Sequence, residues 1–212
     1  MKGHDKYHGI FTDGKNFYTR SKNQSLFGEK ILKENKFIYR LWDPYRSKFS
    51  ASLHKNLKNY RLEKNSNILY LGASYGNTVS FLSEVIYDGK IFAVEFALKP
   101  FASLLNVSKI YNNIYPIMAD ANFPKKFKIY VEGPDILIQD ISQKNQIEIF
   151  KENLKTFPNT KFCYLFLKTR AIDAIKDPKD VLEESLKSLD NVKEIINLNP
   201  YAKDHYLIFI ER

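Results

Sequence analysis

From Pro44 to Arg212, short apolar runs alternate with longer stretches of helical periodicity, and this alternation constrains the fold more than any other feature. The apolar runs fall near 67–71, 90–96, 114–119, 134–139, 161–168, 193–198 and 205–211. The helical stretches fall near 78–87, 98–110, 143–155 and 178–189. Strands that alternate with helices of this length specify βαβ units and a parallel sheet. The first runs are almost continuously apolar, as expected of parallel strands covered by helices on both faces. The run at 206–210 follows the one near 193–198 with no helix between, so a seventh, antiparallel strand is expected. Phe49, Leu53 and Leu57 recur at i, i+4 and i+8 and predict an amphipathic helix after Pro44. Leu182, Leu186 and Leu189 mark one face of the last helix, with Pro178 near its start.

Residues 1–43 lack this pattern. Gly9-Ile10-Phe11 and Asn16-Phe17-Tyr18-Thr19 flank Thr12-Asp13-Gly14-Lys15, and an Asp-Gly between aromatic-rich runs signals a hairpin. Phe37-Ile38-Tyr39-Arg40-Leu41-Trp42 reads as a further strand. The expectation is a small N-terminal β domain of about two hairpins over 1–43, closed by Asp43-Pro44, and a larger domain over 44–212. The aromatics Phe11, Phe17, Tyr18, Phe37 and Tyr39 are either a docking surface or a small satellite core.

The net charge of +9 favours polyanionic partners. Lysines are spread along the whole chain, however, so charge alone selects no ligand. No apolar run approaches the ~20 residues of a membrane span. The first five residues contain no apolar segment of a signal peptide. Cys163 is the only cysteine, so no internal disulfide can form. His4, His8, His54 and His205 have no metal-ligand spacing among themselves or with Cys163. An intracellular protein without a catalytic metal is expected.

In an open α/β sheet the ligand lies beyond the carboxyl ends of the strands, beside the switch point. The first strand of the large domain ends in Gly72-Ala73-Ser74-Tyr75-Gly76-Asn77-Thr78 and enters a helix. Gly72 and Gly76 permit a tight turn and a close approach of backbone to ligand. Glu95 ends the second strand, 23 residues after Gly72, where a carboxylate can accept from both hydroxyls of a ribose. The glycine pattern is G-x-x-x-G, without the G-x-G-x-x-G that brings backbone to a pyrophosphate. S-adenosylmethionine has no pyrophosphate and suits the looser loop. Ala119-Asp120-Ala121 ends the third strand. There Asp120 could accept from an adenine amino group or could serve as a turn or helix cap. Asp140, after Gln139, could meet the methionine ammonium.

Several segments together resemble the fibrillarin family. They are Trp42-Asp43-Pro44-Tyr45-Arg46-Ser47-Lys48, Leu69-Tyr70-Leu71-Gly72-Ala73, Ala93-Val94-Glu95-Phe96, Asp140-Ile141-Ser142-Gln143, Lys168-Thr169-Arg170-Ala171-Ile172-Asp173 and Lys203-Asp204-His205. The likeness runs from about Phe27 to Arg212. The family loop reads G-A-x-x-G-T-T, and here Asn77 stands in place of the first threonine while Thr78 is kept. No Gly/Arg-rich segment precedes the likeness, as in archaeal-type members. The resemblance implies a Rossmann-like methyltransferase domain with a seven-stranded mixed sheet. It implies cofactor contacts at Gly72, Ala73, Gly76, Thr78, Glu95, Phe96, Asp120, Ala121, Asp140 and Gln143. It also implies a catalytic set of Lys48, Asp140, Lys168 and His205.

The chemistry of such a set is coherent. A ribose 2′-hydroxyl is a weak acid and must lose its proton as it attacks a sulfonium methyl. A lysine can take that proton if burial or a second ammonium depresses its pKa. Lys168 is the expected base, Lys48 its electrostatic partner and Asp140 their orienter. His205 would position the hydroxyl or the lysine. The implied activity is guide-RNA-directed 2′-O-methylation of rRNA or tRNA within a box C/D ribonucleoprotein. The implied partners are guide RNA, target RNA, a Nop-type scaffold and a kink-turn-binding ribosomal-type protein. The implied location is the cytoplasm for an archaeal-type member and the nucleolus for a eukaryotic one. The alternatives are a stand-alone methyltransferase acting on RNA or a protein glutamine, and a ribonucleoprotein scaffold without catalysis.

Overall fold

The computed structural model describes residues 1–22 and 25–212. The N-terminal region forms five short strands: β1 (Lys2–Gly3), β2 (Ile10–Thr12), β3 (Phe17–Ser21), β4 (Ile31–Glu34) and β5 (Phe37–Leu41). They make one antiparallel sheet in the order β1-β2-β3-β5-β4. The two expected hairpins are β2–β3 and β4–β5. In the first, the Asp13 carboxylate accepts from the backbone of Lys15 and Asn16, which fixes the turn that Asp-Gly announced. β1 and β4 carry no alternation strong enough to read from sequence.

After α1 (Lys48–His54) the alternation is realised as β6 (Asn67–Leu71), α2 (Asn77–Val85), β7 (Lys90–Glu95), α3 (Leu98–Ser108) and β8 (Ile114–Met118). There follow α4 (Pro124–Phe127), β9 (Ile136–Gln139), α5 (Gln146–Thr156) and β10 (Phe162–Lys168). The chain ends with α6 (Thr169–Ile172), α7 (Pro178–Leu186), β11 (Val192–Asn197) and β12 (His205–Glu211). The large sheet has the order β11-β12-β10-β9-β6-β7-β8. β6 to β10 pair in parallel, and β12 inserts antiparallel between β10 and β11. Seven strands with an antiparallel last one agree with the expectation. Alternate residues of each strand serve opposite faces. Ile68 and Tyr70 join the core beneath α1 and α2, while Leu69 and Leu71 join the core beneath α5.

Two helices are shorter than their periodicity. α1 stops at His54, the chain turns at Asn56 (φ 62°), and Leu57 is buried from outside the helix. α7 stops at Leu186, and Leu189 packs on the core beyond it. In both cases apolar spacing reports burial, which continues past the last helical hydrogen bond.

The N-terminal sheet shares the main core. Tyr7, Ile10 and Trp42 belong to the cluster that includes Ile68 and Phe81. Trp42 is fully buried and stacks between Phe49 and Phe81. Arg40, on β5, is also fully buried. Its guanidinium donates to Glu29 at 2.6 Å, to Glu84 at 2.8 Å and to Tyr111 at 2.6 Å. Glu84 lies on α2, so one arginine bolts the small sheet to the large domain. Of the five aromatics, Phe17 packs against the main core, and Phe11 and Phe37 are half-buried. Tyr18 and Tyr39 are buried, and Arg20 lies over the rings of Phe11 and Phe37.

Candidate active site

β6 is central. The chain leaves it toward β7 and β8 on one side, then returns to β9 and β10 on the other. The switch point therefore lies between the ends of β6 and β9, where Gly72 and Asp140 meet. The Asp140 N–H donates to the Leu71 carbonyl at 2.9 Å. Gly72 has φ +83°, and a Cβ there would lie 2.6 Å from the Asp140 carbonyl oxygen. Only glycine fits this position, on both counts.

A cleft of about 320 Å³ opens at this point. Gly72, Glu95, Phe96, Ala121, Asp140, Gln143 and Lys168 line it, as the sequence suggested. The Glu95 carboxylate is held by three backbone N–H groups, from Ser74 at 2.9 Å, Phe96 at 2.9 Å and Ala97 at 2.8 Å. A carboxylate has about four acceptor positions. Glu95 is thus fixed in direction yet can still accept from a ligand.

Ala73, Gly76, Thr78 and Asp120 are not among the residues that line the cleft. Ala73 packs in the main core. Gly76, at φ +89°, lets the chain pass Leu104 and Val107 of α3, where a Cβ would sit 3.1–3.3 Å from their side chains. Thr78 shares a hydrogen bond of 3.1 Å with the Ser47 hydroxyl. Asp120 accepts from the Asn122 backbone and side chain at 2.9 and 2.8 Å, which is the turn role weighed against the adenine role. Asn122 also donates to Gln143 at 2.6 Å, so Asp120 shapes the rim through its neighbour. Ser74, Pro100 and Ser142 line the cleft and were not singled out as site residues. Ser142 lies two residues after Asp140, within the segment Asp140-Ile141-Ser142-Gln143 that carries the family resemblance.

Beside the cleft stands an ion triad. Lys48 Nζ lies 3.0 Å from Asp140 Oδ1, and Lys168 Nζ lies 2.9 Å from the same oxygen. Lys168 also donates to the Asp140 carbonyl at 3.2 Å and to the Ser142 hydroxyl at 2.8 Å. Each lysine is placed by local structure. Lys48 opens α1 behind the N-cap Ser47, which Thr78 ties to α2. Asn77 donates to the Arg46 carbonyl at 3.0 Å, so the amide takes up a tethering task at the departure from the family loop. Lys168 ends β10, and buried Gln146 grips both its N–H, at 3.0 Å, and its carbonyl, at 3.1 Å. Gln146 reads as an ordinary helix residue in sequence, and nothing there signalled this clamp.

The electrostatics follow from burial. Desolvation lowers the Lys168 pKa from its usual 10.5; Asp140 opposes this and Lys48 adds to it. Burial alone would raise Asp140, but Lys48 and Lys168 outweigh it and hold the carboxyl below its usual range. Burial lowers His205, and the two lysines lower it further. His205 directly opposes Lys168 in the β10–β12 ladder. Lys48 donates to Asp140 Oδ2 at 3.1 Å and both lysines ion-pair with Oδ1, an arrangement that suits Asp140 to orient the two ammonium groups.

A Rossmann-like methyltransferase fold, with a cleft at the switch point and a lysine-rich ion triad beside it, defines the class. A sequence profile of the fibrillarin family matches residues 1–212. The fibrillarin-like rRNA/tRNA 2′-O-methyltransferase of Thermoplasma acidophilum is 44% identical over 201 residues, covering 93% of this chain and 87% of the relative. Fibrillarin of Aeropyrum pernix, solved with natively bound S-adenosyl-L-methionine, superposes with a TM-score of 0.88 at 34% identity, covering 98% of this chain and 96% of that one. A chain of a fibrillarin/Nop5p complex superposes with a TM-score of 0.89 at 37% identity, covering 97% and 98%. The chain belongs to the fibrillarin family.

Proposed function

We propose that this protein is the catalytic subunit of a box C/D ribonucleoprotein and methylates ribose 2′-hydroxyls of rRNA or tRNA, in the cytoplasm, at sites chosen by a guide RNA. The observation that carries the proposal is the Lys48–Asp140–Lys168 triad beside the switch-point cleft. The relative from Thermoplasma acidophilum is named for this reaction, and the Aeropyrum pernix protein holds the methyl donor.

The cleft suits S-adenosylmethionine. Gly72 allows the tight turn against Asp140 that no residue with a side chain could make, and Glu95 presents an oriented acceptor for ribose hydroxyls. Gly72, Glu95, Phe96, Ala121 and Gln143 would hold the cofactor, which supplies an electrophilic methyl on its sulfonium. Lys168, with its lowered pKa, accepts the 2′-hydroxyl proton as the oxygen attacks. The Lys48 ammonium, paired with Asp140, would stabilise the developing alkoxide. Asp140 keeps the two ammonium groups 2.9–3.0 Å from one oxygen. An assembled triad argues against a scaffold that has lost catalysis.

The sequence carries no RNP-type aromatic pair or KH-type loop, and its charge of +9 supplies phosphate attraction without choice. Guide RNA pairing would supply the choice. Leu98, Met118, Phe123, Ile129 and Tyr130 are large apolar side chains left exposed, a surplus that fits a protein partner. A Nop-type scaffold, as in the fibrillarin/Nop5p complex, would cover them and bring the kink-turn protein and guide. The test is a guide swap in a particle assembled from this chain, scaffold, kink-turn protein and guide. Changing the guide sequence should move the methyl group to the newly paired nucleotide. Methylation at a fixed site irrespective of guide would favour the stand-alone enzyme.

Two further outcomes are expected. Glu95→Ala should weaken binding of S-adenosylhomocysteine by about 1.5–3 kcal/mol, the scale of a charged hydrogen bond. Calorimetry on the folded variant would measure it, and unchanged affinity would remove Glu95 from the site. The rate should also depend on pH. A base must be neutral to accept a proton, so activity should rise with pH through the lowered Lys168 pKa and level off below 10.5. A single-turnover profile that is flat between pH 6 and 9 would contradict this assignment.

A further inference from the structure

The ladder between β10 and β12 ends at the pair Lys168–His205, and beyond it the two chains remain joined. The Thr169 N–H and hydroxyl both donate to the Asp204 carbonyl, at 3.3 and 2.9 Å. Arg170 Nε donates to the Asp204 carboxylate at 3.1 Å. Asp204 has φ 57°, a left-handed conformation uncommon for a residue with a side chain. It persists only when its surroundings hold it. Here three donors from Thr169 and Arg170 do so.

The bend at Asp204 has a consequence for its neighbour. It brings the Lys203 carbonyl to 2.6 Å from His205 Nδ1. A carbonyl oxygen only accepts, so Nδ1 carries the proton. Burial and the two lysines favour the neutral ring. A neutral ring protonated at Nδ1 has a lone pair at Nε2. His205 is therefore a hydrogen-bond acceptor on the strand next to Lys168. Arg170 completes the arrangement by donating to the carbonyls of Ala174 at 2.9 Å and Lys176 at 3.1 Å, which locks it against its own loop.

We propose that Arg170 and Asp204 form a positioning pair: the left-handed turn they hold fixes His205 in the tautomer whose bare Nε2 can accept a hydrogen bond from Lys168, opposite it in the ladder, as Lys168 takes up the ribose hydroxyl's proton. The pair touches no substrate and acts through the Lys203 carbonyl. Its effect on rate rests on the reaction proposed above; its effect on the tautomer does not.

The test therefore has two arms. In the free chain, nitrogen-15 shifts of the His205 ring should report Nδ1 protonated and Nε2 bare, with Arg170→Ala shifting the ring toward a mixture of tautomers. In the assembled particle, Arg170→Ala should lower kcat about 10- to 100-fold, the cost of misplacing a reacting group, with cofactor affinity unchanged. Asp204→Ala should do the same. Asp204→Asn keeps an acceptor and tolerates the left-handed backbone, so it should restore most of the lost rate. A His205 ring protonated at Nε2 in the unmodified chain would overturn the proposal. So would Arg170→Ala with unchanged ring shifts, or with a loss of rate matched by a loss of cofactor binding. A particle without methyl-transfer activity would refute the proposed reaction and leave the tautomer arm to decide the positioning pair.

Discussion

Replacing Lys168 with alanine is expected to slow methyl transfer by about 10²–10⁴-fold, the usual cost of removing a general base. Cofactor binding should survive, because Glu95 and the Gly72 turn do not depend on Lys168 for their geometry. Single-turnover rates and calorimetry on the same variant separate the two effects. Lys168→Arg is the more discriminating change. It keeps a cation near Asp140 but cannot lose its proton, so it should be about as slow as alanine. A fast arginine variant would make position 168 an electrostatic site and leave proton removal to another group. In the resting structure the Lys168 ammonium meets three groups: the Asp140 carboxylate as an ion pair, and the Asp140 carbonyl and the Ser142 hydroxyl by hydrogen bonds. The third, the Ser142 hydroxyl, can turn and donate to the neutral amine. The environment thus serves both protonation states, as a base requires.

The second large effect is on stability. Arg40→Ala should destabilise the protein by about 3–5 kcal/mol, because it strands buried acidic partners rather than deleting one surface contact. For a chain of this size that corresponds to a fall in Tm of about 6–20 °C. Differential scanning calorimetry would measure it. Glu29 gives the pH signature. Burial pushes its carboxyl up, but backbone N–H groups and Arg40 outweigh burial and bring it to about 2, from a usual 4.5. A depressed carboxyl stabilises the fold fully above its unfolded value and progressively less as pH falls toward its folded one. The wild type should therefore lose stability between about pH 4.5 and 2, and Arg40→Ala should lose less over that window. An unchanged Tm in Arg40→Ala would mean that the N-terminal sheet is not anchored through this side chain.

The large domain was legible because its signals are local and redundant. Parallel strands such as β6 and β7 are apolar on both faces, so each announces itself without its partners. The glycine turn and Glu95 were legible because a switch-point ligand demands those residue types at the ends of successive strands. What escaped the sequence was relational. β4 is partly exposed, and β1 and β4 lack the alternation that marks a half-buried strand. Arg40 sits in a strand that reads as aromatic-rich surface. Its burial depends on Glu84 and Tyr111, 44 and 71 positions away. Gln146 clamps Lys168 across 22 positions, and no periodicity encodes that. Asp120 could not be assigned from sequence because a turn acceptor and an adenine acceptor require the same residue at the same place. The catalytic lysines were credible only as a set: a lone lysine in sequence is most often a solvated charge.

A cleft that directs a methyl group to a ribose oxygen leaves its signature on the product RNA. The most direct measurement is mass spectrometry of nuclease-digested target RNA after a single turnover in the assembled particle with isotopically labelled methyl donor. One labelled nucleoside is expected, carrying the methyl on its 2′-oxygen at the guide-paired position, and it should be lost in Lys168→Ala. Label on a base, on a protein glutamine, or equally on unpaired nucleotides would contradict it.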